Sequence, residues 1–170
     1  MAATQSQRNK MGEKDKLSRV IHPKTPIFEY NKITSDIFIG TNQCCRIHFN
    51  KELVKNSVKA DLSLEENKID NPFGVDYFLW LPTKDHRAST IKQLFIGASF
   101  IDQLVKNKIK VYVHCQNGHG RAPTLVAAYF ITKGMTAEEA LSLIKNRRKS
   151  IHPNKHQKAA LKSFEKKIKF

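Results

Sequence analysis

Residues 111–129 read VYVHCQNGHGRAPTLVAAY. Val111, Tyr112 and Val113 are successive β-formers, the pattern of a buried strand that delivers His114 and Cys115. Five residues follow, with glycines at 118 and 120, and then Arg121. Pro123 stands just ahead of an apolar helix-forming run from Leu125 to Ile131. Proline at a helix start gives up no needed donor and has its φ already set. The stretch therefore reads as strand, tight glycine-containing loop, helix, with a cysteine at the loop entrance and an arginine at its exit.

A loop feeding a helix N-terminus turns several backbone N–H groups inward, and the helix dipole adds partial positive charge. Together they make an anion nest. Gly118 and Gly120 allow backbone angles and a close approach that side chains would obstruct. The amides of Gln116, Asn117, Gly118, His119 and Gly120 are the candidate phosphate ligands, and Arg121 can grip two phosphate oxygens at once. The same field favours the thiolate form of a cysteine at this position, which makes Cys115 a candidate nucleophile for phosphoryl transfer. A buried structural cysteine with an arginine on a surface helix would leave the glycine pair and the His-Cys doublet without a reason.

His114-Cys115, five residues and Arg121 resemble the signature of the cysteine-based protein phosphatases, and the short chain resembles their dual-specificity branch. The resemblance implies a metal-independent and cofactor-independent phosphomonoester hydrolase that works through a phosphocysteine intermediate. It also implies an aspartate general acid on a loop after a strand upstream of the cysteine. Asp85 fits, thirty residues before Cys115 and directly after a β-prone run. Asp76, within that run, and Asp70, farther back, fit less well. His114 is expected to hydrogen-bond behind the loop and fix the cysteine, and Thr124 is expected to support it. One position departs from the pattern: most relatives carry Ser or Thr after the arginine, where this chain has Ala122. A pseudo-enzyme that binds phosphoproteins without turnover has this residue as its only support.

At 170 residues the chain suits one domain with a real core. Its net charge of +15 attracts phosphate-bearing partners, whether phosphoproteins, nucleic acid or anionic lipid, without choosing among them. There is no long apolar run for a membrane span and no apolar signal-peptide core. Three cysteines, two of them adjacent at 44 and 45, make no disulfide framework. They are expected as core thiols in a reducing cytoplasm. A second role for this pair, as partner to an oxidised Cys115, is an open alternative.

Residues 1–24 are polar, charged and without periodicity, which reads as a flexible basic arm; 25–170 is then the catalytic domain. Ile27–Tyr30 and Asp36–Gly40 read as extended, and Thr41–Lys55 as one short helix. Val58–Leu64 and Val75–Leu81 read as strands, the latter central or nearly so as the most β-prone run. Thr90 with Gln93 and Thr136 with Glu139 have capping-box spacing, and Asn154 caps a last helix. Arg147-Arg148-Lys149 falls at a helix C-terminus, where positive charge complements the dipole. The expected fold is a single α/β domain, with a short, mostly parallel sheet flanked by helices.

Substrate is expected to be phosphotyrosine and phosphoserine or phosphothreonine in proteins. Inositide phosphatases of the superfamily tend to carry lysines in the loop, whereas this chain has Gln116 and His119. Triphosphate RNA ends, glucan and small phosphate esters are the alternatives, with nucleic acid disfavoured by the lack of an aromatic platform for bases. Gln157 is expected near the pocket or simply within a capped surface helix.

Overall fold

The computed structural model describes residues 25–169, so the arm expected over 1–24 lies outside the described residues. Among the described residues one sheet forms from β1 (Tyr30–Lys32), β2 (Ile37–Gly40), β3 (Val58–Ser63), β4 (Tyr77–Trp80) and β5 (Lys110–His114). The helices are α1 (Lys51–Lys55), α2 (Ile91–Lys106), α3 (Arg121–Thr132), α4 (Ala137–Arg147) and α5 (Lys155–Ile168). Strand order is β1-β2-β5-β3-β4, antiparallel at β1–β2 and parallel elsewhere.

Side chains alternate across the sheet, as the strand period of two requires. Ile37, Ile39, Val111 and Val113 join Leu62 and the helices in the main core, while Phe38 and Tyr112 turn to the opposite face. There a smaller cluster adds Cys44, Cys45, Phe49, Leu53 and Val58. Helix α3 is buried from Arg121 to Ile131 because it packs on α2, α4 and α5 as well as near the sheet. Each fully buried side chain such as Leu125 or Val126 contributes about 1.5–3 kcal/mol. The start of α3, and the loop before it, are therefore held by a helix buried along nearly its whole length.

Capping chemistry sets the other boundaries. Thr90–Gln93, Thr136–Glu139 and Asn154–Gln157 each form a reciprocal capping box at the starts of α2, α4 and α5. Three expectations need correction. The segment 41–55 is not one helix: a 3-10 turn over Asn42–Cys44 is followed by a separate α1, which Asn50 caps by accepting from the Glu52 N–H. The most β-prone run supplies the edge strand β4, with Tyr77 and Phe78 exposed, and the central place belongs to β5. Beta propensity reports fit to a half-buried pleated surface and not rank within the sheet. Finally, Cys44 and Cys45 are buried as expected but are joined to each other as a vicinal disulfide, not two free thiols.

Candidate active site

The strand register brings the site together. Gly40 of β2 and Ser63 of β3 both pair with His114 of β5, and Trp80 of β4 pairs with Ser63. The carboxyl ends of four strands thus finish in one row, the place where parallel sheets collect functional loops. Cys115 leaves β5 at the middle of this row and is a free, buried cysteine.

Every carbonyl of the loop that follows is turned toward protein. Gln116 O accepts from Asn42 N–H at 3.2 Å, and His119 O from His152 N–H at 2.9 Å. Asn117 O and Gly118 O accept from Arg148 Nη2 and Nε, each at 3.0 Å. Gly120 O accepts from the Thr124 N–H and, at 2.7 Å, from its Oγ1. Peptides are planar and none here is cis, so each N–H lies opposite the carbonyl of the preceding residue. The amides from Asn117 to Arg121 are consequently turned to the inner side of the loop, as an anion nest demands. Gly118 has φ +66°, and a Cβ there would sit 2.5 Å from Gly40 O. A side chain at this position would break both the turn and its closure on β2.

Arg121 is buried at the first residue of α3. Its Nη1 donates to Leu64 O at 3.1 Å and Thr83 O at 2.8 Å, which fixes the guanidinium from behind. Its Nη2 lies 3.2 Å from Asp85 Oδ1 and 3.3 Å from Glu65 Oε1. Asp85, on the loop after β4, is half exposed and also accepts from the His86 N–H at 3.0 Å. The structure therefore brings Cys115, Arg121 and Asp85 to one edge of the sheet. Asp76 instead faces Lys59 on the surface, at 4.0 Å.

Sequence reasoning passed over Glu65, Asp61 and Arg148. Glu65 is mostly buried: Oε2 accepts from Asn42 Nδ2 at 3.2 Å, and its backbone carbonyl accepts from Trp80 Nε1 at 2.6 Å. Its position two residues past the end of β3, at the functional edge, was the available signal. Next to Cys115 in the chain, His114 Nε2 lies 3.3 Å from both Asp61 Oδ1 and Asp70 Oδ2, with all three side chains fully buried. Burial alone would push the imidazole down, but the two carboxylates outweigh it and hold its pKa up at about 10. Burial likewise raises Asp61 against the pull of His114. On Asp70 burial opposes, but His114, the Ser63 hydroxyl at 2.6 Å and Lys68 together bring it below the usual carboxylate range.

Cys44, Cys45, Asp61 and His114 place potential ligand atoms within 4.8 Å of one another. The two sulfurs are bonded to each other and the imidazole is paired with carboxylates, so this group closes on itself as an ion-pair network. Two other side chains from the sequence reading lie beside the loop. Thr124 has its hydroxyl proton committed to Gly120 O, and Gln157 is buried, its Nε2 donating to Arg87 O at 3.2 Å. Gln157 also fills the space that a Cβ on Gly120 would need, at 2.9 Å. It therefore spans from the phosphate loop to the loop carrying Asp85.

Comparison with known proteins gives this geometry a setting. Residues 37–167 match the family described as dual specificity phosphatase, catalytic domain. The chain is 32% identical over 139 residues to the tyrosine-protein phosphatase yvh1 of Schizosaccharomyces pombe, covering 79% of this chain and 41% of that protein. It is 29% identical over 143 residues to the dual specificity protein phosphatase 1B of Arabidopsis thaliana, covering 82% and 84%. The crystal structure of PTPMT1 in complex with PI(5)P superposes with a TM-score of 0.72 at 25% identity, over 82% of this chain and 96% of that one. Some of these relatives are much longer, so the chain corresponds to only part of them.

Proposed function

The chain belongs to the dual specificity phosphatase family, within the cysteine-based tyrosine phosphatase superfamily, and from that premise we propose that it hydrolyses phosphomonoesters on tyrosine and on serine or threonine of proteins. The observation that carries this reading is the outward pinning of all five loop carbonyls, which leaves a ring of amides around Cys115 beside the Arg121 guanidinium. In the first step the Cys115 thiolate attacks phosphorus and the ester oxygen leaves, taking a proton from Asp85. Arg121 and the loop amides follow the three equatorial oxygens as charge moves in the transition state. In the second step Asp85, now a carboxylate, removes a proton from the water that attacks the phosphocysteine, releasing phosphate and restoring the thiolate. Arg121 exchanges its contacts with Glu65 and Asp85 for phosphate oxygens when substrate enters. No step uses a metal or cofactor, and a thiolate nucleophile suits a reducing cytoplasm.

The test is hydrolysis of an aryl phosphate in the presence of a chelator. Cys115→Ser should abolish it, and activity that persists in this variant sinks the mechanism. Asp85→Asn should lower kcat by about 10²–10⁴-fold and flatten the alkaline limb of the pH–rate profile, because the acid must be protonated to act. An unchanged limb moves the acid elsewhere. A second reading, a phosphoinositide substrate, is favoured by the likeness to PTPMT1, whose structure holds PI(5)P. Gln116 and His119 in the loop weigh against it, since neither supplies a lysine for extra phosphates. Turnover of phosphopeptides against PI(5)P and triphosphate-ended RNA decides between them.

A further inference from the structure

Arg148 is the C-cap residue of α4 and has 1% of its surface exposed, although it is an arginine within a run of basic residues. A buried guanidinium is costly unless every side of it is paired. Here it is paired on both sides. Nε donates to Gly118 O and Nη2 to Asn117 O, while Nη1 donates to Asn31 Oδ1 at 2.7 Å and Nη2 to Glu29 Oε1 at 2.6 Å. One side chain therefore ties two consecutive peptide units of the phosphate-binding loop to β1 and to the segment just before it. The fork geometry of arginine suits this, as it presents several donors in one fixed plane.

The two peptide units are 117–118 and 118–119. Their N–H groups belong to Gly118 and His119, and planarity sets each opposite the carbonyl that Arg148 holds. Gly118 stands at positive φ between them, so the loop has conformational freedom at this point that something else must remove. A Cβ on Gly118 would lie 2.5 Å from Gly40 O and 3.2 Å from Arg148 Nη2, so the loop closes here on both β2 and the guanidinium.

We propose that Arg148 is a positioning residue for the phosphate-binding loop, holding the Asn117 and Gly118 carbonyls outward so that the Gly118 and His119 amides face the phosphoryl oxygens. The inference rests on the phosphatase reading of this loop but extends its machinery to a residue that never touches substrate. Arg148 sets both ground-state and transition-state contacts, so its loss raises KM and lowers kcat together. It leaves the alkaline limb assigned to Asp85 where it was.

Three full-length proteins test this: wild type, Arg148→Gln and Arg148→Lys. Inorganic tungstate serves as the phosphate mimic and thermal melting as the control for folding. In folded variants the tungstate inhibition constant should rise about tenfold or more in Arg148→Gln. Arg148→Lys, which keeps the charge but not the fork, should fall between it and wild type. A folded Arg148→Gln or Arg148→Lys with wild-type tungstate affinity overturns the proposal. If both variants fail to fold, the Gly118 and His119 amide resonances of Cys115→Ser protein decide: they should shift on titration with tungstate. A wild type that hydrolyses aryl phosphate while these two amides ignore tungstate overturns this inference alone. A wild type that neither hydrolyses aryl phosphate nor binds tungstate overturns the phosphatase reading beneath it.

Discussion

Ala122 is buried in the first turn of α3, one residue beyond Arg121, at the position where the phosphatase signature leads one to expect Ser or Thr. The neighbouring hydroxyl cannot stand in for it, because Thr124 Oγ1 spends its proton on Gly120 O. In the proposed second step the leaving thiolate would therefore lack one donor. Ala122→Ser should raise the rate of phosphoenzyme hydrolysis about tenfold or more, seen in rapid-quench kinetics as a smaller burst and a faster steady state. An unchanged ratio of burst to steady-state rate would mean that dephosphorylation is not limited by this donor. Arg121 illustrates a second residue-scale point. Two carbonyls hold it on one side, while two carboxylates occupy the face assigned to phosphate in the proposed mechanism. Its charge is compensated by Glu65 and Asp85, so substrate binding in the proposed mechanism would be an exchange of anions.

At the scale of elements, β3, β5 and the loop before β4 meet in the Asp61–His114–Asp70 network at the residue that precedes Cys115. His114 has a folded-state pKa raised from 6.5 to about 10. The stability it contributes is therefore complete below about pH 6.5 and is lost as pH rises through about 10. Asp70 has the opposite sign: its pKa is lowered, and its contribution disappears in acid as pH falls through the folded value. Asp70→Ala leaves the imidazolium with one buried partner and should cost about 3 kcal/mol. It should also flatten the decline of melting temperature between pH 7 and 10 relative to wild type. Parallel melting curves across that range would refute the assignment. The edge strand β4 makes a related point. Tyr77 and Phe78 are exposed, yet the carboxyl end of the strand delivers Trp80 to Glu65 and the following loop delivers Asp85 to Arg121. A marginal place in the core is compatible with a central place in the site.

For the whole molecule, the +15 charge gives a long-range field that favours anionic substrates. kcat/KM for an acidic phosphopeptide should fall several-fold between about 0.01 M and 0.15 M salt as the Debye length shrinks from about 30 to 8 Å. The value for a neutral-bodied aryl phosphate should fall less. Equal salt dependence for the two would confine the charge to a solubilising role. Among the described residues no helix is long and apolar enough to cross a membrane. Most of the fold was legible in sequence because periodicity and capping are local: strand, loop and helix at 111–129, the boxes at Thr90 and Thr136, the cap at Asn154, and an α/β order all follow from neighbours in the chain. The phosphate cradle was legible for the same reason, since its glycines, cysteine and arginine are contiguous. What tertiary structure alone decided depends on partners far apart in sequence. Arg148 read as a cation complementing a helix C-terminus, but the chain fold carries it beneath the loop, where acceptors on Glu29, Asn31, Asn117 and Gly118 hold it. Asp61 and Asp70 became a clamp on His114, and Glu65 a partner of Arg121, because strand order sets β3 beside β5. Local chemistry wrote the loop into the sequence; long-range packing determined which charges stand behind it, because desolvation and pairing exist only once the sheet has closed.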